Sequence, residues 1–341
     1  MKEIFDRLLP WYRKHRRALP FREGRDPYRI WLSEIMLQQT RIEEVIPYYT
    51  RFMEALPTVE ALADCEDEKL LKLWEGLGYY SRARNLKKAA EIIVKRYGGE
   101  IPGDYKALLA LPGIGEYTAG AVSSIAFGRP CPAVDGNVMR VIARITGDER
   151  NVLDPKTRSD ARKKLTASYP TGANAGDLTE ALMELGEVLC LPGTPKCENC
   201  PVKDLCRANK DGSWDRIPYR AKAKEKKVCP KTVFLLEHDG KVAVRQRVEP
   251  GLLHGLFEFF NTEGHLTKAK AKNLLEEQGF TVCSLSPMKE RRHVFTHLIW
   301  EMKGYKVKVE QETDSFLWKT PEALKEEIAL PTAFKGFLKE I

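Results

Sequence analysis

Four of the eight cysteines in this chain of 341 residues fall within one seventeen-residue stretch. They are Cys190, Cys197, Cys200 and Cys206, spaced C-x6-C-x2-C-x5-C with no histidine between them. Disulfides in so short a loop would be strained, and cytosolic thiols are kept reduced, so the cluster predicts a metal centre with four thiolate ligands. Zinc and an iron-sulfur cluster both accept this ligand set, and the spacing does not choose between them.

Length and charge narrow the class of protein. The length exceeds that of most single domains, so we expect two compact units. A formal net charge of +8 favours a polyanionic partner. The first seventeen residues, MKEIFDRLLPWYRKHRR, are basic and amphipathic. We therefore expect no signal peptide, no membrane contact and a reducing, cytoplasmic location.

Helical periodicity dominates the first two thirds of the chain and predicts an all-α domain over residues 1–215. An Asp-Gly-Asn sequence at 135–137 suits the start of a helix that carries Val138, Val141, Ile142 and Ile145 on one face. Further helices are predicted at Tyr28–Gln39, Glu68–Leu77, Leu86–Tyr97 and Leu178–Leu189.

The composition changes after residue 215. Residues 216–228 are rich in charge and poor in large aliphatic side chains, which predicts a solvated linker. Alternating apolar residues and one helical stretch then predict a smaller α+β domain over residues 229–341. Its predicted elements are the strands Thr232–Leu236, Lys241–Gln246, Val294–Trp300 and Tyr305–Val309 and the helix Thr267–Gln278.

Two acids are candidates for chemistry. Glu34 lies within the apolar stretch WLSEIMLQQT, where burial would raise the pKa of its carboxyl and suit a general acid. For a single glutamate on a helix, an ordinary surface position is the more common alternative. Asp135, in PAVDGNVMRV, is its candidate partner. Asp135 also suits a helix N-cap, and the two roles are compatible because a cap fixes the carboxylate.

A tight turn in LPGIGEYTAGAV, residues 111–122, joins two short helical segments. Gly113 and Gly115 leave backbone N–H groups uncovered at a helix N-terminus, where they can hold a phosphate without reading base sequence. An ordinary corner between two helices is the alternative for such a turn taken alone.

Five motifs together resemble one family. WLSEIMLQQT, GLGYYSRARNL, LPGIGEYTAGAV, PAVDGNVMRV and the cysteine loop at 190–206 occur in the order seen in the adenine DNA glycosylases of the MutY family, within the endonuclease III superfamily. The resemblance covers nearly the whole chain. It implies an all-α helix-hairpin-helix glycosylase core, a [4Fe-4S] cluster on the four cysteines, and a C-terminal α+β Nudix-like domain.

The resemblance also implies an activity and its residues. The enzyme would hydrolyse the N-glycosidic bond of adenine opposite 8-oxoguanine or guanine in double-stranded DNA, acting as a monomer. Glu34 would protonate the departing adenine and Asp135 would stabilise the positively charged sugar, supported by Tyr117 and Asn137. The remaining implied positions are Gln39, Tyr79, Gly113 and Gly115 for DNA, Arg22 and Glu180 for the adenine pocket, and Phe295, Thr296 and His297 for the lesion.

Two alternatives are weighed against this assignment. The first is an endonuclease III-like glycosylase and lyase of oxidised pyrimidines, which would carry a nucleophilic lysine where this hairpin has Tyr117. The second is a catalytically silent iron-sulfur protein that binds DNA, against which intact Glu34 and Asp135 argue. In the C-terminal part, GLLHGLFEFF and HVFTHLIW carry the Nudix-like resemblance, with Thr296 where relatives commonly have serine. Residues 261–280 lack the glutamate-rich box of an active Nudix hydrolase.

Overall fold

The computed structural model describes residues 1–222, 225–249 and 251–341. The chain forms two compact units. The first contains residues 1–65 and 81–222, and the second contains residues 66–80 together with the described residues after 222. No helix among the described residues is long and apolar enough to span a membrane.

The first unit is helical, and its helices are short and separated by turns. They are α1 (Lys2–His15), α2 (Pro27–Met36), α3 (Ile42–Ala55), α4 (Val59–Ala63), α6 (Ser81–Tyr97), α7 (Tyr105–Leu109), α8 (Glu116–Ile125), α9 (Gly136–Thr146), α10 (Pro155–Thr166), α11 (Ala173–Val188) and α12 (Arg207–Lys210). Helix α5 (Asp67–Leu73) belongs to the second unit. Side-chain caps fix several starts: Asp26 accepts a hydrogen bond from Arg29 N at 2.8 Å, and Pro27 follows it as the first helical residue.

Helix α11 runs through the core of this unit. Ala175, Leu178, Leu182 and Leu185 recur at helical spacing and are buried against α1 and α9. The fully buried Val138 and Val141 of α9 pack in the same cluster. This packing places the start of α9, where Asp135 lies, beside α11.

Several helix ends differ from the predicted ones. The predicted helix at 28–39 ends at Met36, because Gln39 adopts a φ of 60° that a right-handed helix cannot contain. The prediction for 68–77 is too long at its C-terminal end, since Gly76 and Gly78 have φ values of 109° and 70°. The predictions for 86–97 and 178–189 begin too late, since those helices start at Ser81 and Ala173.

The second unit is built on a sheet with the strand order β3-β2-β1-β6-β5, with β4 on β1 and β7 on β2. Strands β1 and β6 are parallel, and the other paired strands are antiparallel. The elements are β1 (Lys227–His238), β2 (Lys241–Gln246), β3 (Phe257–Glu258), β4 (Phe260–Glu263), α13 (Lys268–Glu277), β5 (Val282–Val294), β6 (Leu298–Val309), β7 (Leu317–Lys319), α14 (Pro321–Glu326) and α15 (Thr332–Lys335).

Both faces of this sheet are covered. Val233 and Leu235 of β1 point into a cluster that includes residues of α14 and α15, and the alternate residues Phe234 and Leu236 point into a cluster that includes Leu275 of α13. The alternation explains why five consecutive residues of β1 are buried. Asp239 and Gly240, both with positive φ, form the tight turn between β1 and β2.

One predicted strand was wrong. The predicted strand Val294–Trp300 is divided by a hairpin loop at 295–297, which joins β5 to β6. Strand β5 itself was not predicted. Its burial pattern is mostly exposed and irregular, with a register shift between Met288 and Arg291, so the alternation that marks a half-buried strand is weak there.

The first part of the predicted linker packs on the helical unit. Ile217 is buried, Val152 N donates to Tyr219 O at 3.0 Å, and Ala221 N donates to Asn151 Oδ1 at 3.3 Å. Strand β1 already begins at Lys227. Residues 223 and 224, in the middle of the predicted linker, lie outside the described residues.

The segment 66–80 is bound to the C-terminal part of the second unit by two charged residues. Lys72 Nζ donates to the backbone oxygens of Lys325 at 2.5 Å and Ile328 at 3.1 Å. Glu75 Oε1 accepts from Leu330 N at 3.1 Å and pairs with Lys335 at 3.2 Å. These contacts explain why the segment belongs to the unit that contains the sheet.

Candidate active site

A cavity of about 510 Å³ opens in the helical unit, within the size range typical of small-ligand pockets. Its wall comes from α2 and the turn after it, the start of α3, α8, the start of α9, α11 and the short 3-10 helix at Pro20–Arg22. The residues that line it include seven of the sequence-predicted site residues, namely Arg22, Glu34, Gln39, Tyr117, Asp135, Asn137 and Glu180.

Glu34 lies on α2 and is 7% exposed, so the alternative of an ordinary surface glutamate is wrong. Tyr117, on α8, donates its hydroxyl to Glu34 Oε2 at 2.5 Å. Burial raises the pKa of Glu34 to about 7, against the opposing effect of the Tyr117 hydrogen bond. Burial and the neighbouring Glu34 raise the pKa of Tyr117 well above its usual value, so the phenol keeps its proton. At neutral pH Glu34 is therefore a carboxyl that can give up a proton.

Asp135 is the N-cap of α9. Its Oδ1 accepts a hydrogen bond from Val138 N at 2.7 Å, which fixes the carboxylate at the cavity wall. Burial raises the pKa of Asp135, while the backbone N–H groups of Val138 and Asn137 oppose the rise by stabilising the charged form. Glu34 and Asp135 therefore have different surroundings: a phenol donates to Glu34, and a helix N-terminus donates to Asp135.

Asn137 links this helix start to the cysteine loop. It donates from Nδ2 to Glu187 Oε1 at 2.5 Å and accepts from Arg140 Nη2 at 2.8 Å. Arg140 also donates to the backbone oxygens of Gly186 at 3.0 Å and Cys190 at 2.8 Å. A single arginine thus joins Asn137, the end of α11 and the first cysteine of the cluster. Nothing in the sequence pattern marks Arg140 apart from other helical arginines.

The two predicted pocket residues face each other. Arg22 Nε lies 3.6 Å from Glu180 Oε1, and Tyr12 donates its hydroxyl to Glu180 Oε2 at 2.8 Å. Glu184, one turn further along α11, was not predicted as a site residue, yet it is fully buried and pairs with Arg22 Nη2 at 2.8 Å. The i, i+4 spacing from Glu180 is the only signal of it in the sequence.

The predicted hairpin is formed by α7, the turn after it and α8. Gly113 has a φ of 75°, and a Cβ there would lie 2.7 Å from Asn85 Cβ, so the turn requires glycine. Gly115 is the N-cap of α8 with an ordinary φ, and a Cβ there would meet open space. Gly115 has no side chain to cap α8, so the N-terminal backbone N–H groups of that helix are left for a ligand. Gly120, not predicted, approaches Pro132 O too closely for any side chain.

The turn after α2 carries Gln39. Its φ of 60° directs the backbone out of the helix at the cavity wall. Arg82, on α6, supports this turn by donating from Nη1 to the oxygens of Ile35, Met36 and Gln38 at 2.7 to 2.9 Å. Those bonds satisfy carbonyl groups that the helix end leaves unpaired.

The four clustered cysteines line one pocket beside α9 and α11. Arg144 approaches Cys190 Sγ at 3.5 Å and binds four backbone oxygens of the surrounding loops. Among the described residues, no group of three or more histidine, cysteine or acidic side chains is placed around one metal-ion position. All eight cysteines are free thiols.

The predicted lesion residues lie on the loop at 295–297 in the second unit. Thr296 and His297 are exposed, and Phe295 packs edge-to-face on His293 at 4.5 Å and on Trp300 at 4.8 Å. Tyr79 belongs to the same unit, and its hydroxyl lies 2.7 Å from Thr296 Oγ1. The structure therefore brings together Tyr79, predicted to contact DNA, and the predicted lesion loop.

Two family models match the chain, one in its helical part and one in its C-terminal part. Residues 32–170 match the HhH-GPD superfamily of base excision DNA repair proteins, and residues 232–340 match the NUDIX domain. Among solved structures, a thermostable thymine-DNA glycosylase matches with a TM-score of 0.55 at 31% identity, covering 62% of this chain and 96% of that one. A trapped endonuclease III–DNA covalent intermediate matches with a TM-score of 0.52 at 27% identity, covering 62% and 95%.

The relatives similar along most of the chain are adenine DNA glycosylases. One from Arabidopsis thaliana is 36% identical over 85% of this chain, which spans 55% of that longer protein. The human one is 33% identical, with 90% of this chain and 67% of that protein covered. One from Buchnera aphidicola subsp. Acyrthosiphon pisum is 33% identical, with 87% of this chain and 85% of that protein covered. With a helix-hairpin-helix core, a buried glutamate and a helix-capping aspartate that line one cavity, and similarity over 85% of the length of a relative, the chain belongs to the adenine DNA glycosylase family, of the MutY type.

Proposed function

We propose that this chain is a monofunctional DNA glycosylase that hydrolyses the N-glycosidic bond of adenine mispaired with 8-oxoguanine or guanine in double-stranded DNA. The observation that carries the proposal is the pair of carboxyl groups in one cavity, with Glu34 partly protonated near pH 7 and Asp135 held by a helix N-terminus. Cleavage of an N-glycosidic bond develops negative charge on the base and positive charge on the sugar, and this pair matches both needs.

Glu34 delivers the proton. With a pKa of about 7, it is partly protonated at neutral pH and becomes a base once the proton has left, which suits it to activate the attacking water afterwards. The Tyr117 hydroxyl at 2.5 Å fixes the orientation of this carboxyl. Asp135, fixed by Val138 N, stabilises the cationic sugar from its own position on the wall.

Base removal without strand cutting follows from the residues present. A lyase needs an amine that attacks the sugar and forms a Schiff base. Among the described residues, those that line the cavity include arginines but no lysine, and the hairpin carries Tyr117. Arginine keeps its proton and is a poor nucleophile. We therefore expect an abasic site as the product, with the strand intact until alkali is added.

The partner is duplex DNA with the adenine extruded, since the atoms that react are inaccessible in a stacked base pair. The uncapped N-terminus of α8, at Gly113 and Gly115, supports a phosphate contact there. Gln39 and Tyr79, both with positive φ, are proposed to fill the space that the adenine leaves. Tyr79 is 43% exposed and therefore available to a duplex.

The lesion opposite the adenine is proposed to meet the loop at 295–297. Thr296 and His297 are exposed and supply a hydroxyl and a ring nitrogen as hydrogen-bonding groups. Lys226 Nζ donates to Phe295 O at 2.8 Å, and Lys227 N donates to His297 O at 3.3 Å, so the loop is bound at both ends. A loop that is already held in place loses less conformational entropy when it binds a base.

A [4Fe-4S] cluster is proposed on Cys190, Cys197, Cys200 and Cys206. The fit rests on the donor set, which is four cysteines lining one pocket, with the Arg144 guanidinium beside Cys190 Sγ to balance thiolate charge. Four cysteine thiolates are the ligand set that such a cluster requires. When bound, the cluster would hold the loop at 190–206 against α9, whose first residues follow Asp135.

Incubation of the protein in excess with a duplex containing adenine opposite 8-oxoguanine, followed by alkali, tests the function. We expect abasic sites at the adenine and no strand break before alkali. The control is the same duplex with thymine glycol in place of the adenine, which a pyrimidine glycosylase would process. Release of the oxidised pyrimidine with the adenine untouched would overturn the proposal.

A further inference from the structure

Three acids of α11 face the N-terminal segment 12–25. Asp177, Glu180 and Glu184 are spaced three and four residues apart, so they share one side of the helix. Asp177 pairs with Arg13 at 2.7 Å and with Arg25 at 2.8 Å. Each of the other two acids also binds groups of the same segment, so this side of α11 holds the segment through charge and hydrogen bonds.

Glu184 is the most buried of the three and has the most donors. Arg17 Nε and Nη2 donate to its two oxygens at 2.7 and 3.0 Å, and Arg17 N donates at 3.2 Å. Arg22 Nη2 lies 2.8 Å from Glu184 Oε2. Burial by itself raises the pKa of Glu184, but the hydrogen bonds and charges of the two arginines outweigh burial and leave that pKa lowered. Glu184 therefore remains a carboxylate with a fixed geometry.

The Arg22 guanidinium is held by two acids through Nε and Nη2, whereas its third nitrogen, Nη1, is not. Its Nη2 binds Glu184 and its Nε faces Glu180. Its Nη1 is buried and makes no hydrogen bond within the part of the chain that the structure describes. Arg22 and Arg17 line the cavity that contains Glu34, whereas Glu184 lies behind them and does not line it. A buried guanidinium N–H with no acceptor is costly unless a ligand supplies one.

We propose that Glu184 is a positioning residue for adenine excision, which holds Arg22 so that Nη1 meets an acceptor on the extruded base. The same ion pair keeps the charge of Arg22 balanced beside Glu34. The inference rests on the proposed function, because it assigns the acceptor to the adenine. Glu184 acts only through the two arginines and contacts no reacting atom.

The role of Glu184 can be measured because the charge of Arg22 acts on the pKa of Glu34. The ionisable groups that act on Glu34 are Tyr117, Asp135, Glu180 and Arg22, and the cavity is further lined by Arg17, Arg41, Glu43 and Glu187. Of these, the Arg22 guanidinium lowers the pKa of Glu34. Without the Glu184 carboxylate, less negative charge offsets that guanidinium. The pKa of Glu34 then falls further, and the proton donor is lost at a lower pH.

Single-turnover release of adenine from the A:8-oxoguanine duplex, measured across pH for the full chain and for Glu184→Gln, tests the proposal. We expect a rate lower by roughly 10- to 100-fold at neutral pH, as for a catalytic group displaced by about 1 Å. We also expect the midpoint, the pH at which the rate has fallen to half its maximum on the alkaline side, to move to lower pH. The matched control is Asp177→Asn on the same helix, α11. It removes the acid that pairs with Arg13 and Arg25 and should leave the midpoint unchanged.

A wild-type rate in Glu184→Gln, or a slower rate with an unmoved midpoint, would overturn the proposal and leave Glu184 with a merely structural role. If Glu184→Gln does not fold, Glu184→Asp replaces it, since it keeps the charge but withdraws the carboxylate by one methylene. For Glu184→Asp we expect slower adenine release with the midpoint of wild type. Release at the wild-type rate would contradict the proposal. A wild-type protein that releases no adenine would contradict the proposed function instead.

Discussion

Replacing Glu34 with glutamine removes the proton donor and leaves the shape of the site almost unchanged. The amide keeps the volume of the side chain and an oxygen that can accept the Tyr117 hydroxyl, which lies 2.5 Å from Glu34 Oε2. The transferable proton is lost, and general acid catalysis contributes about 10²- to 10⁴-fold. We therefore expect the single-turnover rate of adenine release to fall at least about 100-fold, with duplex affinity retained.

The same change should stabilise the folded chain at alkaline pH. Burial raises the pKa of Glu34 from 4.5 to about 7, so the folded state binds this proton more tightly than the unfolded state. Wild-type stability therefore falls as pH rises between those values, and glutamine, which cannot ionise, escapes this loss. The stability advantage of Glu34→Gln should grow by roughly 2 to 3 kcal/mol from pH 5 to pH 8.

Both effects are measurable on one preparation. Quenched single-turnover assays give the rate, filter binding gives the affinity, and urea unfolding followed by circular dichroism at the two pH values gives the free energy of unfolding. A variant that releases adenine at the wild-type rate would refute the role of Glu34 as acid. If the free energies of unfolding of the two proteins differ by the same amount at both pH values, the raised pKa of Glu34 is refuted.

Three further substitutions test other parts of the site. Asp135→Asn keeps a good N-cap but removes the charge, so adenine release should fall at least about 100-fold with little change in Tm; a large drop in Tm would point to a structural role alone. Gly113→Ala should lower the free energy of unfolding by about 1 to 2 kcal/mol through its positive φ. Gly115→Ala, at an ordinary φ in open space, should lower it less, since only its preference as an N-cap is lost; equal effects in urea unfolding would contradict this. Thr296→Val keeps the shape but loses the hydroxyl 2.7 Å from Tyr79, so the preference for 8-oxoguanine over guanine should shrink, with Thr296→Ser retaining it; unchanged rate ratios on the two duplexes would count against the loop.

Local patterns in the sequence identified the interior of most elements but not their ends. The predicted helix at 28–39 contains the right apolar face, yet its end depends on Gln39, whose positive φ is supported by Arg82 from a helix more than forty residues away. The predicted strand 294–300 contains apolar residues that belong to two different strands. Both errors arise because tertiary contacts, which a local pattern does not contain, decide where an element stops.

The candidate site was partly accessible from the sequence. Glu34 and Asp135 stand out as acids in apolar or capping contexts, and the structure gathers them with Tyr117 into one cavity. Glu184 does not stand out, because an acid on an otherwise ordinary helix acquires its role only from arginines some 160 residues distant along the chain. The same holds for Arg140, whose role depends on its hydrogen bonds to Gly186 and Cys190, some 50 residues away along the chain.

The position of the segment 66–80 could not be predicted either. Its residues read as one more amphipathic helix followed by a glycine-rich turn. The bonds of Lys72 and Glu75 to residues 325–335, together with the contact between Tyr79 and Thr296, bind it to the unit that contains the sheet. Tyr79 and Thr296 consequently meet within one unit, although 217 positions separate them along the chain.

The pH dependence of wild-type adenine release, measured in single turnover on the A:8-oxoguanine duplex, tests most directly whether a buried, protonated Glu34 starts the reaction. For an acid with a pKa of about 7, the protonated fraction falls about tenfold between pH 6 and pH 8. We expect the rate to follow that fall, with a midpoint near pH 7. A rate that stays constant from pH 6 to pH 9, on a duplex that remains bound throughout, would contradict it.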